Sequence, residues 1–206
     1  RFYRHNVLGL WFTTGLLAVI YYIVPKETGT PLSSASLSLV AFWGTLFFYT
    51  GVGAHHLLWA PIPYWLGTVA VAESIGMVIP VLATFFNILL TMRGNWSHIR
   101  SSVPLLYVLT GWAAYILVSF QGSNEALRGV NEVTHFTQYV PGHAMLGLIF
   151  FSASCCIAGA YYVLPRALHC SLYSRRLARA QYAFYVIGFV AFFLSFVVNG
   201  AIQGAS

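Results

Sequence analysis

Six stretches of this chain are each long and apolar enough to cross a bilayer, which leaves little choice of fold. Hydrocarbon offers no water to bond exposed N–H and C=O groups, so only helices and closed barrels span it. A spanning strand needs about 10 residues and a spanning helix about 20. The stretches lie near 6–24, 35–59, 65–92, 103–121, 140–165 and 180–203, and have the helical length. The expected fold is all-α: a polytopic transmembrane helix bundle of six spans, one domain over residues 1–206. Short loops rich in Pro, Gly and Ser join the spans, such as 25–34 and 61–64. Only 7% of the residues are charged, against about a quarter in a soluble domain.

The few charges orient the bundle. The net charge of +6 comes from ten Lys and Arg set against four acids, all of them Glu. The basic residues sit in the short connections, so they read as topology signals and no nucleic acid partner is expected. Lys26, Arg93, Arg100, Arg166, Arg175, Arg176 and Arg179 fall on one face, and Arg1, Arg4 and Arg128 on the other. The first face is therefore expected in the cytoplasm. Three cysteines make no disulfide framework. The adjacent pair Cys155 and Cys156, in mid-span, reads as small apolar packing.

Four of the seven histidines fall at one shared depth near the outer face. His5 opens span 1, His55 and His56 close span 2, and His143 opens span 5. A polar side chain in hydrocarbon is costly unless paired or liganded, so histidines from separate helices at one depth point to a metal or haem site. Three imidazoles with an open position suit copper, zinc or non-haem iron. Neighbours on an α-helix diverge by about 100°, so His55 and His56 reach one ion only near the helix end. A hydrogen-bonded structural pair is the alternative. Tyr49 precedes His56 by two turns and lies on nearly the same face, about 10 Å deeper. It is either a donor to a metal-bound substrate or an aromatic packed beside Phe47 and Phe48. His143 and Met145 are about 200° apart on span 5, an arrangement by which one helix can face two haems. Met145 also reads as ordinary packing. His98 and His169 lie in cytoplasmic loops.

These residues carry a resemblance. The chain is similar to the C-terminal half of the catalytic subunit of the cbb-type, or C-family, haem–copper cytochrome c oxidases. The matching stretches are Arg4-His5-Asn6, Tyr21-Tyr22-Ile23-Val24-Pro25-Lys26, Tyr49 through His55-His56-Leu57-Leu58, and Pro63-Tyr64-Trp65. Asn87, Gly94-Asn95-Trp96, Val130-Asn131 and Thr134-His135-Phe136-Thr137 follow, then Gly142-His143 and Tyr161-Tyr162 through Pro165-Arg166. The likeness runs almost without gaps from residue 1 to about 166.

The resemblance implies a copper ion on His5, His55 and His56, and a high-spin haem b with His143 as its axial ligand. It makes Tyr49 the active-site tyrosine, covalently linked to His5, and sets His135 near the haem propionates. Tyr21, Ser38 and Tyr115 fall where the family's single proton-uptake path rises from the cytoplasm. The implied function is a terminal respiratory oxidase of the bacterial inner membrane, reducing O2 to water near the periplasmic side with electrons from cytochrome c. Its implied partners are membrane-anchored cytochrome c subunits, together with a companion transmembrane chain or the N-terminal half of a subunit of roughly twelve helices, since six helices that start within a metal site do not enclose two haems alone. The chain opens on Arg1 rather than Met, in keeping with a part of a larger protein.

Several positions depart from the family. It has a second histidine at position 145, axial to a low-spin haem, and this chain has Met145. That haem is then absent, or held by Met145 and a histidine from elsewhere. Acidic residues expected near 121 and 138 are Gln121 and Gln138. Glu73 stands in span 3 where the family is apolar, and an intramembrane carboxylate is a functional candidate by default. It also reads as a protonated side chain bonded to a neighbour. Two alternatives stay open: a nitric oxide reductase of the same superfamily, using non-haem iron with Glu73, and a non-catalytic structural paralogue or partial subunit.

Overall fold

The computed structural model describes residues 2–206. Arg1, one of the outer-face cations, lies outside them. Six long helices follow one another: α1 (Tyr3–Thr28), α2 (Ala35–Leu57), α3 (Tyr64–Thr91), α4 (Val103–Glu125), α5 (Tyr139–Ala167) and α6 (Arg175–Ala205). Each is long and apolar enough to span a bilayer, so this is a multi-pass membrane protein. A short helix, Arg128–Thr134, lies in the connection from α4 to α5.

The connections at the Lys- and Arg-rich end share one grammar. All three helices that start there have a serine N-cap whose hydroxyl accepts a backbone N–H in the first turn. Ser34 takes Leu37 N at 3.1 Å, Ser102 takes Leu105 N at 3.0 Å and Ser174 takes Leu177 N at 3.3 Å. The three helices that end there run into left-handed residues: Gly29 at φ 68°, Gly94 at φ 84° and His169 at φ 51°. Glycine meets that conformation without strain. The expected loop at 25–34 is corrected here: α1 continues through Pro25 to Thr28. Near the C-terminal end of a helix, the missing proline N–H breaks little of the ladder.

Side chains tie this end together. Glu27 holds Arg166 at 2.9 Å and accepts from Ser102, joining α1, α4 and α5. The Arg166 guanidinium also lies 3.7 Å over the Tyr162 ring. Asn87, fully buried in α3, accepts from Ser34 N at 3.0 Å and donates to Ser34 O and Ser38 Oγ, each at 2.9 Å.

Lipid is as apolar as leucine, so close packing rather than hydrophobicity holds such helices together. Small residues make room for it: a Cβ on Gly44 would sit 3.1 Å from Pro80, and one on Gly76 would overlap Phe48. The central helix is α4, with 56% of its apolar window buried against 11% for the peripheral α6. Ile20, Ile23, Val24, Ile88, Met92 and Leu105 are almost wholly buried, and all belong to the half nearer the serine caps. The histidine half instead encloses a cavity.

Candidate metal centre

Three histidines from two helices meet at that cavity. His5 stands in the first turns of α1, and His55 and His56 stand on the 3₁₀ turn Gly53–Leu57 that ends α2. Their nearest ring nitrogens all lie within 4.8 Å of one another. The His55 and His56 Nε2 atoms are 3.0 Å apart. A tetrahedral ion with nitrogens at 2.0–2.1 Å sets them about 3.3 Å from each other, so the pair is spaced for one ion. The pair reaches a common point from a helix end, as adjacent residues must.

The tautomer of His55 follows from its neighbours. Ser74 of α3 gives its hydroxyl proton to Ala70 O at 2.6 Å, so its oxygen is left to accept. The His55 Nδ1–H donates to that oxygen at 2.8 Å. The Nε2 lone pair therefore points into the cluster, the arrangement an ion requires. Ser123 of α4 donates to Ser74 O at 2.7 Å and fixes the backbone behind it. Sequence reading missed Ser74, whose only signal is a polar residue on the inward face of an apolar span.

Tyr49 stacks on His5, with ring centroids 4.8 Å apart at 24°. Gly9, one turn below His5, makes this possible, because a Cβ there would enter the Tyr49 ring. His143 lines the same cavity. Its Nδ1 is buried with no hydrogen-bond partner among the described residues. Gly122 of α4 passes close to it: a Cβ there would lie 3.0 Å from His143 Cε1 and 3.3 Å from Nε2. The cavity that the cluster and His143 line measures about 380 Å³. Apolar residues such as Phe12, Val52, Met77, Val118 and Phe151 make up much of its wall, and Tyr49 and Tyr115 bring phenols to it. An imidazole backed by a glycine, facing a largely apolar space, fits the axial side of a haem.

α1 and α5 both depart from α geometry just beyond their cavity-lining histidines. The backbone is π-helical over Val7–Thr13 after His5 and over Leu146–Ala153 after His143. In each run a hydroxyl reaches the carbonyl five residues back: Thr13 to Leu8 O and Ser152 to Gly147 O, both at 2.8 Å. Such segments recur at functional sites. Neither was anticipated, since apolar periodicity does not separate π from α.

Other expected residues stand elsewhere. Ser38 is at the serine-capped end, bonded to Asn87, and the Tyr21 phenol is buried with no hydrogen-bond partner among the described residues. Tyr115 is the member of that trio that lines the cavity. His135 stacks edge-on to Phe136 with centroids 4.1 Å apart, and Met145 is half-buried; neither lines the cavity. Glu73 is not brought to the histidines. It packs on Gly51 of α2, where a Cβ would lie 2.9 Å from its Oε1. Gln121 keeps a buried Oε1 without a hydrogen-bond partner among the described residues, and the Gln203 amide oxygen accepts from Gln138 N at 2.8 Å.

The family model for cytochrome c and quinol oxidase polypeptide I matches residues 1–206. The chain is 30% identical over 203 residues to the cbb3-type cytochrome c oxidase subunit CcoN1 of Stutzerimonas stutzeri, covering 98% of this chain and 43% of that protein. It is likewise 30% identical to cytochrome c oxidase subunit 1 of Rhodobacter capsulatus, covering 98% and 38%. It thus spans about two fifths of the length of these curated relatives. A solved haem-copper terminal oxidase dimer shares the fold, with a TM-score of 0.82 at 21% identity over 98% of this chain and 39% of that one. With one family model matched along its whole length, and its histidines gathered from separate helices onto one cavity, this chain belongs to the cytochrome c and quinol oxidase polypeptide I family, as a divergent member.

Proposed function

We propose that this chain forms the oxygen-reducing part of a terminal respiratory oxidase, within a larger subunit of about twelve helices. The observation that carries the reading is the convergence of His5, His55 and His56, with Tyr49 stacked on His5, on a cavity that His143 also lines. In this reading the three imidazoles hold copper and His143 holds the iron of a high-spin haem b. Bound at these residues, the metals would supply electrons for the reduction of O2 to water.

The protein's own contribution is positioning and proton supply. Ser74 fixes the His55 tautomer, and Gly9 lets the Tyr49 ring lie against His5. From there the Tyr49 phenol gives a proton and an electron to the substrate. The apolar wall limits water, which strengthens electrostatic interactions inside the site. Protons arrive from the cytoplasm past Tyr21 and Ser38 to Tyr115. The excess of Lys and Arg at the serine-capped end supports a bacterial inner-membrane topology with that end in the cytoplasm and the histidines toward the periplasm. Membrane-anchored cytochrome c subunits deliver the electrons, and His135 lies near the propionates. A low-spin haem b, where present, takes Met145 and a ligand from a segment outside these residues.

Nitric oxide reduction is not favoured, because Glu73 is packed on Gly51 away from the cluster while Tyr49 is in it. Copper, iron and extracted haem in the purified complex test the reading. About one copper per chain, with all iron in haem, is the expected result. Iron beyond haem without copper would overturn it, and neither metal beyond haem would mark a structural partner. In the same complex, Tyr49→Phe is expected to keep copper and lose turnover; wild-type turnover would remove the role given to Tyr49.

A further inference from the structure

The cavity has a polarity axis that its histidines do not explain. The helices that line it run up and down the bundle, so residue number gives depth. On α1 the wall descends from Arg4 to Thr13 and on α5 from Val140 to Ser152, while on α4 it climbs from Tyr115 to Ser123. At about 1.5 Å per residue these walls are on the order of 15 Å tall. Leu8, Phe12, Val118 and Phe151 make much of that height apolar. Among the described residues Arg4 is the one fixed cation that lines the cavity, and it stands at the outer rim, one residue before His5.

Arg4 is not claimed by the rest of the chain. The ion pair among the described residues is Glu27 with Arg166, at the opposite end of the bundle. Arg128, the other described cation of the outer face, is engaged elsewhere: it donates to Thr68 Oγ1 at 2.9 Å and lies 4.2 Å over the Tyr64 ring. A guanidinium stays charged and presents a fork of donors that matches a carboxylate.

A tall apolar slot with an imidazole in its wall and one cation at its rim complements a flat apolar ring that carries carboxylates along one edge. A haem is such a group, and its carboxylates are costly to bury unpaired. His135 does not line the cavity, so the lining itself offers Arg4 to that edge. We propose that Arg4 positions the haem held at His143, its guanidinium paired with a propionate at the outer rim. The assignment rests on the oxygen-reducing reading above and deepens it. A positive charge fixed near the ring favours ferrous over ferric iron, so Arg4 also raises the reduction potential of that haem.

The test is a redox titration of the high-spin haem in the purified whole oxidase complex, for wild type, Arg4→Gln, Arg4→Lys and Arg128→Gln. At a fixed potential, Arg4→Gln is expected to raise the ratio of ferric to ferrous haem about tenfold, a midpoint lower by about 59 mV for one electron. Arg4→Lys keeps the charge and is expected to recover most of the shift. Arg128→Gln removes a cation of the same face and is expected to match wild type. With the haem carboxylates labelled with carbon-13, their bands in the redox-difference infrared spectrum are expected to move in Arg4→Gln and not in Arg128→Gln. Loss of the haem in Arg4→Gln with retention in Arg4→Lys supports the same pairing. A wild-type midpoint with unmoved carboxylate bands in Arg4→Gln overturns the assignment, as does an equal shift in Arg128→Gln. An unaltered complex with no haem on His143 overturns the oxygen-reducing reading and the assignment together, so haem content tells the two failures apart.

Discussion

Replacing Ser74 by Ala removes the oxygen that accepts the His55 Nδ1–H at 2.8 Å. His55 is only 3% exposed, so the freed N–H has no water to turn to. A buried donor left unsatisfied costs about 1–3 kcal/mol. The imidazole can escape that cost by turning or by changing tautomer, and either move takes the Nε2 lone pair away from the cluster. The loss therefore falls on metal affinity. Removing such an outer partner of a metal-binding histidine typically costs about 10–100-fold in affinity, or about 1.4–2.8 kcal/mol at 1.4 kcal/mol per tenfold. The two estimates agree without being fitted to each other. Copper retention against a graded chelator in the purified complex is the assay, with the haem absorbance as the control for folding. Ser74→Thr keeps a hydroxyl able to bond the carbonyl four residues back and is expected to restore retention. Wild-type copper retention in Ser74→Ala, at an unchanged haem spectrum, would show that Ser74 does not set the tautomer.

Gly9→Ala drives a methyl into the Tyr49 ring; overpacking of this kind costs about 1–3 kcal/mol, and a lowered Tm together with lost turnover is expected. A variant as active and as stable as wild type would mean that the ring has room to move. Asn87→Ala strips three hydrogen bonds from the start of α2, with an expected cost of about 2–4 kcal/mol at about 1 kcal/mol each plus the orphaned groups; Tm reads it, and no change refutes it. Glu27→Gln breaks the pair with Arg166, whose side chain is 54% exposed. Solvent screens such a pair, so a loss of about 1 kcal/mol or less is expected, shrinking further in high salt.

Much of this architecture is legible in the sequence because the membrane enforces it. All six helices lie within a few residues of the apolar runs, since unsatisfied backbone in lipid leaves no other option. The histidine set was legible because polar residues at matched depth in separate spans need a common cause. What was hidden depends on angles rather than composition. Pro25 reads as a helix stop, yet in the last turn it removes one bond and the helix goes on to Thr28. Glu73 reads as a ligand by depth, but its azimuth turns it to Gly51. Ser74, one residue further, has the azimuth that meets His55 and no sequence signal to distinguish it from a packing serine.

The π-helical runs after His5 and His143 separate two demands that a continuous helix would join. Each such turn closes its hydrogen bonds across one residue more than an α turn, which gives the tip carrying the imidazole a rotational setting of its own. Below both joints the bundle is interlocked and tolerates little change; above them, the angle at which each imidazole enters the cavity is a separate variable. A lineage can therefore reset the histidine end of the cavity by adjusting a joint, while the packed half of the bundle is inherited unchanged.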